Sequence, residues 1–331
     1  MQLFIQKRGA YLGIEDGLFK VKVNDQLQKL PITKVNSIVM QNAASISTDA
    51  ILKAVENGIE ILFIDKTGKT KGRLWSHKFG SISNIRKNQL LFAQSSDGAK
   101  WIIDTVTTKI KNQKALLFTL GFPDDSTRNM IKKSTEKLDK ILFKLKSLDS
   151  NGIGEIAEKI RGYEGSASRV YFTCISYHLP SEYQFQKRSQ HPAFDAFNCL
   201  LNYAYGILYS RIENALIQAG IDPYIGILHR DEYNKPVFVY DFIEAYRNWA
   251  DYVVIHLLIQ QVIFIEFFDI DNGVFYLNEQ GKRVLVQAFN DYFETIIRRK
   301  GVDRKRNGHI LMDAQKLATK LNMYKPKSQK I

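Results

Sequence analysis

The chain has 331 residues, 45% hydrophobic and 24% charged, an ordinary globular composition and enough length for two domains with real cores. Lys and Arg number 47 against 34 Asp and Glu, a net charge of +13 that points to a polyanionic partner, nucleic acid first and an anionic membrane second. GxxxxGK[ST], strand-following GxGxxG, HExxH and GxSxG are all missing, which argues against P-loop, nicotinamide, zincin and nucleophile-elbow chemistry.

Residues 1–78 read as a β-rich N-terminal domain. Short apolar or alternating runs (LFIQ, AYLGI, LFKVKV, SIVM, IEILFI) are punctuated by Glu15-Asp16-Gly17, Asn24-Asp25 and Asp65-Lys66-Thr67-Gly68. One helix interrupts them. It starts near Ser47 to Asp49, places Ile51, Leu52 and Val55 inward and stops at Gly58. Residues 66–81, KTGKTKGRLWSHKFGS, are expected to form the hinge between the halves.

Residues 85–331 change to a helical period and are expected to form a larger all-α domain, with segments at 85–120, 127–149, 153–176, 191–219, 238–268, 281–300 and 309–323. His191-Pro192 opens the fourth segment and Gly220 closes it. The fold class is therefore α+β. Cys174 and Cys199 sit in apolar stretches without metal spacing, as free thiols in a reducing, cytoplasmic setting would. The start MQLFIQKRGAY lacks the apolar core of a signal peptide, and VVIHLLIQQVIFIEFF at 253–268 is too short and polar to span a bilayer comfortably. It reads as a mostly buried helix, so no membrane partner is expected.

Three constellations carry chemistry. In the first, His229 precedes Asp241 by twelve residues, and Glu244 follows Asp241 at i+3 on one helical face. Carboxylates in so apolar a run, VFVYDFIEAY, need a partner. Mixed oxygen and imidazole donors suit Mn2+ or Mg2+, while a simple hydrogen-bonded histidine accounts for the same residues. In the second, Glu164 in RGYEGSASRVYF is followed by Gly165, Ser166, Ala167 and Ser168, small enough to admit another backbone or a substrate, or to make a plain helix crossing.

The third is basic. RRKGVDRKR at 298–306 holds six basic residues, and Lys69, Lys71, Arg73, Lys78, Arg86 and Lys87 surround Trp75 and Phe79. Arg73, Arg86, Arg298, Arg299, Arg304 and Lys305 are the candidate phosphate contacts.

Taken in order, YEGSASRVYF, Arg188, HPAFDAFNCLLNYAYGIL, GIDPYIGILH and VYDFIEAYR resemble the motif series of CRISPR-associated protein one, the spacer-acquisition integrase. The GRL and IRKNQ stretches near 72–89 extend the likeness to most of the chain. The resemblance implies a homodimer whose β-rich N-terminal domain serves dimerisation and DNA contact, and whose helical domain is catalytic. It implies that Glu164, His229 and Glu244 converge as ligands of Mn2+ or Mg2+, with Asp241 a further acidic member of the catalytic site. Two departures stand out: Asn248 follows Arg247 where the family often has proline, and Glu244 stands where some members have Asp.

The implied reaction is attack of a DNA 3′-hydroxyl on a phosphodiester, inserting spacers into a repeat array, with endonuclease activity. The implied partners are double-stranded and branched DNA and the small CRISPR-associated protein two, in a prokaryotic cytoplasm. A non-catalytic basic DNA-binding scaffold and a related transposon integrase are the alternatives.

Overall fold

Alternating apolar residues and left-handed turn positions build the first of two units. The computed structural model describes residues 1–41, 43–65, 70–74, 82–121, 124–149, 152–229 and 235–325, and it divides into Met1–Gly80 and Ser81–Ile331.

The first unit contains β1 (Gln2–Ile5), β2 (Tyr11–Glu15), β3 (Leu18–Val23), β4 (Gln26–Leu30), β5 (Ser37–Gln41), β6 (Ser45–Ile46), α1 (Thr48–Glu56), β7 (Glu60–Ile64) and β8 (Thr70–Leu74). Asp16 and Gly17 both take positive φ, 53° and 73°, which closes the β2–β3 hairpin with the twist that adjoining strands require. One sheet runs β4-β3-β2-β6 and the other β1-β5-β7-β8. In the second sheet β1, β5 and β7 are parallel and β8 adds antiparallel to β7. Leu12, Phe19, Ile38 and Ile61 lie fully buried in the shared core.

Ser47 caps α1 by accepting the Ala50 N–H at 3.2 Å. The inner face of α1 differs from the expectation. Ala50 and Ala54 are buried, Ile51 and Val55 are half-buried, and Leu52 is 59% exposed. Small side chains let this helix lie close over the strands, so its larger apolar residues flank the contact. Within the expected hinge, residues 70–74 form a paired strand instead, and the remainder lies outside the described residues.

The second unit is mostly helical: α2 (Ile82–Gln94), α3 (Ser96–Thr119), α4 (Asp125–Lys146), α5 (Ile153–His178), α6 (Ala196–Gln218), α7 (Val237–Ile243), a 3-10 turn at Glu244–Tyr246, α8 (Arg247–Ile259), α9 (Glu279–Glu294) and α10 (Arg306–Asn322). Two hairpins interrupt it, β9 (Phe268–Asp271) with β10 (Val274–Leu277), and β11 (Ile296–Arg299) with β12 (Val302–Lys305). The second half is helical as expected, with these two short hairpins added to it.

The physical reasons are local. Asn272-Gly273 and Lys300-Gly301 all adopt positive φ, the conformation of a two-residue hairpin turn, so helices expected through 268 and 300 end at Ile259 and Glu294. Ser95 accepts the Gly98 N–H at 3.2 Å and restarts a helix, splitting the expected 85–120 segment. Asp195 likewise caps α6, accepting the Asn198 N–H at 2.7 Å, so Pro192 lies in the preceding loop rather than in the first turn. Gly220 ends α6 with φ of 82°, as expected. Cys174 and Cys199 are free and buried. No helix among the described residues is long and apolar enough to cross a membrane.

Candidate active site

Glu164, halfway along α5, and Glu244, first residue of the turn after α7, reach toward each other in the second unit. Lys109 stands between them. Its ammonium pairs with Glu164 and lies 2.5 Å from Oε2 of Glu244, while Arg247 Nε lies 2.7 Å from Oε1 of Glu244. Burial alone would push the Glu244 carboxyl up, but Arg247 and Lys109 outweigh it and hold it down at about 2. The same carboxylates overcome the burial of Lys109 and raise its pKa.

His229 lies in the loop between α6 and α7, its side chain 38% exposed. That loop is over-determined. The backbone N–H groups of Ile227, Leu228 and His229 donate to Asp241 at 2.6, 3.1 and 3.2 Å, and Asp241 Oδ1 lies 2.7 Å from His229 Nδ1. Four donors on one buried carboxylate explain why acid is tolerated in α7. Gln89 on α2 donates to the carbonyls of Asp222 and Ile225, and Arg161 on α5 donates to the Leu228 carbonyl at 2.8 Å. Gly226 permits the tight path, since a Cβ there would meet the His229 carbonyl oxygen at 2.5 Å.

With Nδ1 donating to Asp241, the imidazole keeps its Nε2 lone pair free for an electrophile. Burial lowers the His229 pKa, but the Asp241 hydrogen bond and charge, together with Glu244 and Glu164, outweigh it and raise the value. The imidazole thus feels both carboxylates. A Cβ added at Gly162 or Gly165, which flank Glu164 in sequence, would meet nothing within 4 Å.

Two carboxylates and an imidazole are hard and borderline donors suited to a divalent cation. Among the described residues no three His, Cys, Asp or Glu side chains stand grouped as a ready ligand set. A cation already sits on the carboxylates, however, and Glu244 Oε2 is buried without a hydrogen bond of good geometry. The chemistry of these donors suits such an ion, and Lys109 supplies positive charge between the two glutamates.

Sequence reasoning missed Lys109, whose only signal is a lysine on the buried face of α3. It also missed Asp251, a buried carboxylate on α8 that accepts the Tyr205 and Tyr171 hydroxyls at 2.7 and 3.0 Å. Burial pushes Asp251 up to about 6 despite those bonds and the nearby Arg247 and Arg188.

The candidate phosphate contacts divide. Arg73 is 9% exposed and paired with the buried Glu60 at 2.5 Å, so its guanidinium is committed within the sheet rather than presented to a phosphate. Arg299 pairs with Asp313, and Lys305 with Glu294 at 2.5 Å. Arg86 is exposed and only loosely paired with Asp222 at 3.6 Å. Arg298 and Arg304 are exposed on the β11–β12 hairpin. Lys69, Trp75, Lys78 and Phe79 lie outside the described residues. A basic face that sequence reasoning passed over is Lys133, Lys137, Lys140 and Lys144 on α4, at i, i+4, i+7 and i+11, all exposed.

The model of the family described as CRISPR associated protein Cas1 matches residues 3–291. The chain belongs to the Cas1 family. A relative named CRISPR-associated endonuclease Cas1 1, from Archaeoglobus fulgidus, is 29% identical over 327 residues, covering 95% of this chain and 94% of its own. A solved structure described as a casposase bound to integration product superposes with TM-score 0.81 at 20% identity, over 98% of this chain and 92% of that one. A chain of a Cas6-RT-Cas1–Cas2 complex gives TM-score 0.77 at 22% identity over 97% of this chain, which spans 35% of that longer one. At these identities the two structures speak to the fold alone, a β-rich first part and a helical second part as in Cas1.

Proposed function

We propose that this protein is a CRISPR adaptation integrase: a metal-dependent DNA endonuclease and strand-transferase that inserts new spacers into a repeat array. Family membership, the relatives named Cas1 endonucleases and the likeness to an integration-product complex support this reading. The single observation that carries it to particular residues is the meeting of Glu164 and Glu244 at one buried cation, within electrostatic reach of His229.

In strand transfer a DNA 3′-hydroxyl attacks a phosphodiester, forming and breaking bonds of one type, so no nucleotide hydrolysis is needed. Glu164, His229 and Glu244 would hold a divalent metal ion, Mn2+ or Mg2+. When bound, such an ion supplies Lewis-acid polarisation and offsets charge on the phosphorane transition state. Asp241 is a positioning residue: its carboxylate fixes the loop and the tautomer of His229. Arg247, which bonds Glu244 and the Tyr209 hydroxyl, orients Glu244 from the other side.

DNA is held chiefly through phosphates. Arg86, Arg298, Arg304 and the lysine face of α4 are the exposed cations that support this. The first unit serves dimerisation and DNA contact, and the homodimer works with the small CRISPR-associated protein two in a larger integration complex, a partnership supported by the likeness to a chain of a Cas6-RT-Cas1–Cas2 complex. The site of action is the prokaryotic cytoplasm.

The test is strand joining by purified protein on branched and 3′-ended DNA with Mn2+. Glu164→Gln and His229→Ala should bind DNA like wild type and join none. A wild type that binds DNA without any metal-dependent joining or cleavage would leave the scaffold reading standing.

A further inference from the structure

Lys109 is a buried lysine, its side chain 6% exposed, and its stem threads the packed face of α3. Placing an ammonium there is costly unless carboxylates surround it. Here the two that do so come from different elements, Glu164 from α5 and Glu244 from the turn after α7. Three residues further along α3, Asn112 donates to the Ala245 carbonyl at 3.0 Å, so the same helix also fastens the turn that carries Glu244. Without a cation between them, two carboxylates brought this close would repel.

Those oxygens are also the ones a divalent ion would require. We propose that Lys109 is the resident cation of the site: it occupies the Glu164 and Glu244 oxygens in the metal-free protein, keeps the two elements together, and yields those oxygens when a divalent ion binds. The inference rests on the reading of Glu164, His229 and Glu244 as ligands.

The geometry distinguishes Lys109 from the other cation at the site. Arg247 is locked in place, its guanidinium 4.7 Å from the Tyr205 ring centroid and bonded to the Tyr209 hydroxyl at 3.0 Å. It also takes the Oε1 edge of Glu244, leaving Oε2 to Lys109. A lysine carries a point charge on a flexible four-carbon stem, whereas a guanidinium grips a carboxylate through a rigid fork. Lys109 can withdraw; Arg247 cannot without breaking its stacking. Lys109 is thus a positioning residue that sets metal affinity by competition, and a site built this way stays assembled until the ion arrives.

The experiment measures Mn2+ affinity by electron paramagnetic resonance, and thermal stability with and without Mn2+, on the full chain. Lys109→Met should bind Mn2+ at least tenfold more tightly than wild type, melt lower without metal, and gain more from Mn2+ than wild type does. Lys109→Arg should bind Mn2+ more weakly than wild type, because the guanidinium fork does not release the carboxylates. Met binding equal to or weaker than wild type, or Arg binding tighter, would overturn the proposal. If Lys109→Met does not fold, the Arg variant decides alone. Glu164→Gln is the separate control: Mn2+ affinity unchanged by it would sink the ligand reading, and this proposal with it.

Discussion

His229 and Asp241 are joined twice: the imidazole Nδ1 lies 2.7 Å from Oδ1 of the carboxylate, and the backbone N–H of His229 donates to the same oxygen at 3.2 Å. Side chain and main chain of one residue are therefore set by one acceptor. Replacing Asp241 by Asn leaves one acceptor oxygen where two served, sets an NH2 against backbone or imidazole donors and removes the charge that holds the His229 tautomer. Asp241→Asn should lower Mn2+ affinity by roughly 10–100-fold and stability by about 1–3 kcal/mol. Calorimetric titration and denaturant unfolding measure the two; unchanged metal affinity would remove the orienting role.

The raised pKa of His229 gives two pH effects of opposite sign. Metal ligation needs the neutral imidazole, so Mn2+ affinity should fall as pH drops through a value above the ordinary 6.5. For the metal-free fold, protonation is favoured in the native state. That stabilisation is fully present below the unfolded pKa and is lost as pH rises through the folded one. Metal titrations across pH 5 to 8, with His229→Ala as the variant that loses the step, check the first effect. Affinity that stays flat through this range counts against His229 as a ligand.

Arg73 and the α4 lysines should part company in DNA binding. Arg73→Ala breaks a buried ion pair with Glu60 and should destabilise by up to about 3–5 kcal/mol, read by denaturant unfolding. Changing Lys133, Lys137, Lys140 and Lys144 together to Glu should leave the fold intact. It should also flatten the salt dependence of DNA affinity by roughly 0.9 in log–log slope for each phosphate no longer neutralised. An unchanged slope would clear α4 of the DNA surface.

Tyr205→Phe should destabilise by about 1–3 kcal/mol, because Asp251 is fully buried and loses its 2.7 Å donor. It should also move the Asp251 titration higher than about 6, as the hydroxyl bond is one of the forces holding it down. A pH series of unfolding curves reads both changes.

Much of the fold was legible because its signals are local. Asp16-Gly17 marks a hairpin and Ser47 a helix start, whatever surrounds them. The ends of α8 and α9 were not, because Ile-rich runs such as 262–268 and 295–299 suit helix and strand alike, and only the turns at Asn272-Gly273 and Lys300-Gly301 decide between them. The site was legible through ordered motifs rather than spacing: Asp241 and Glu244 are near in sequence, yet one faces the His229 loop and the other faces Lys109. Lys109 carried only the weak signal of a lysine on an apolar helix face, which points to no function until its partners are placed. Arg73 misled for the same reason, its partner Glu60 lying across a strand pair not foreseen.

The most direct test of a shared site is strand transfer with Mn2+ by wild type, Glu164→Gln, His229→Ala and Glu244→Gln, each first matched for DNA affinity. Wild type should give joined product, and every variant should lose at least a hundredfold in joining at unchanged DNA binding. Joining at the wild-type rate by any one of the three would contradict a site built jointly from Glu164, His229 and Glu244.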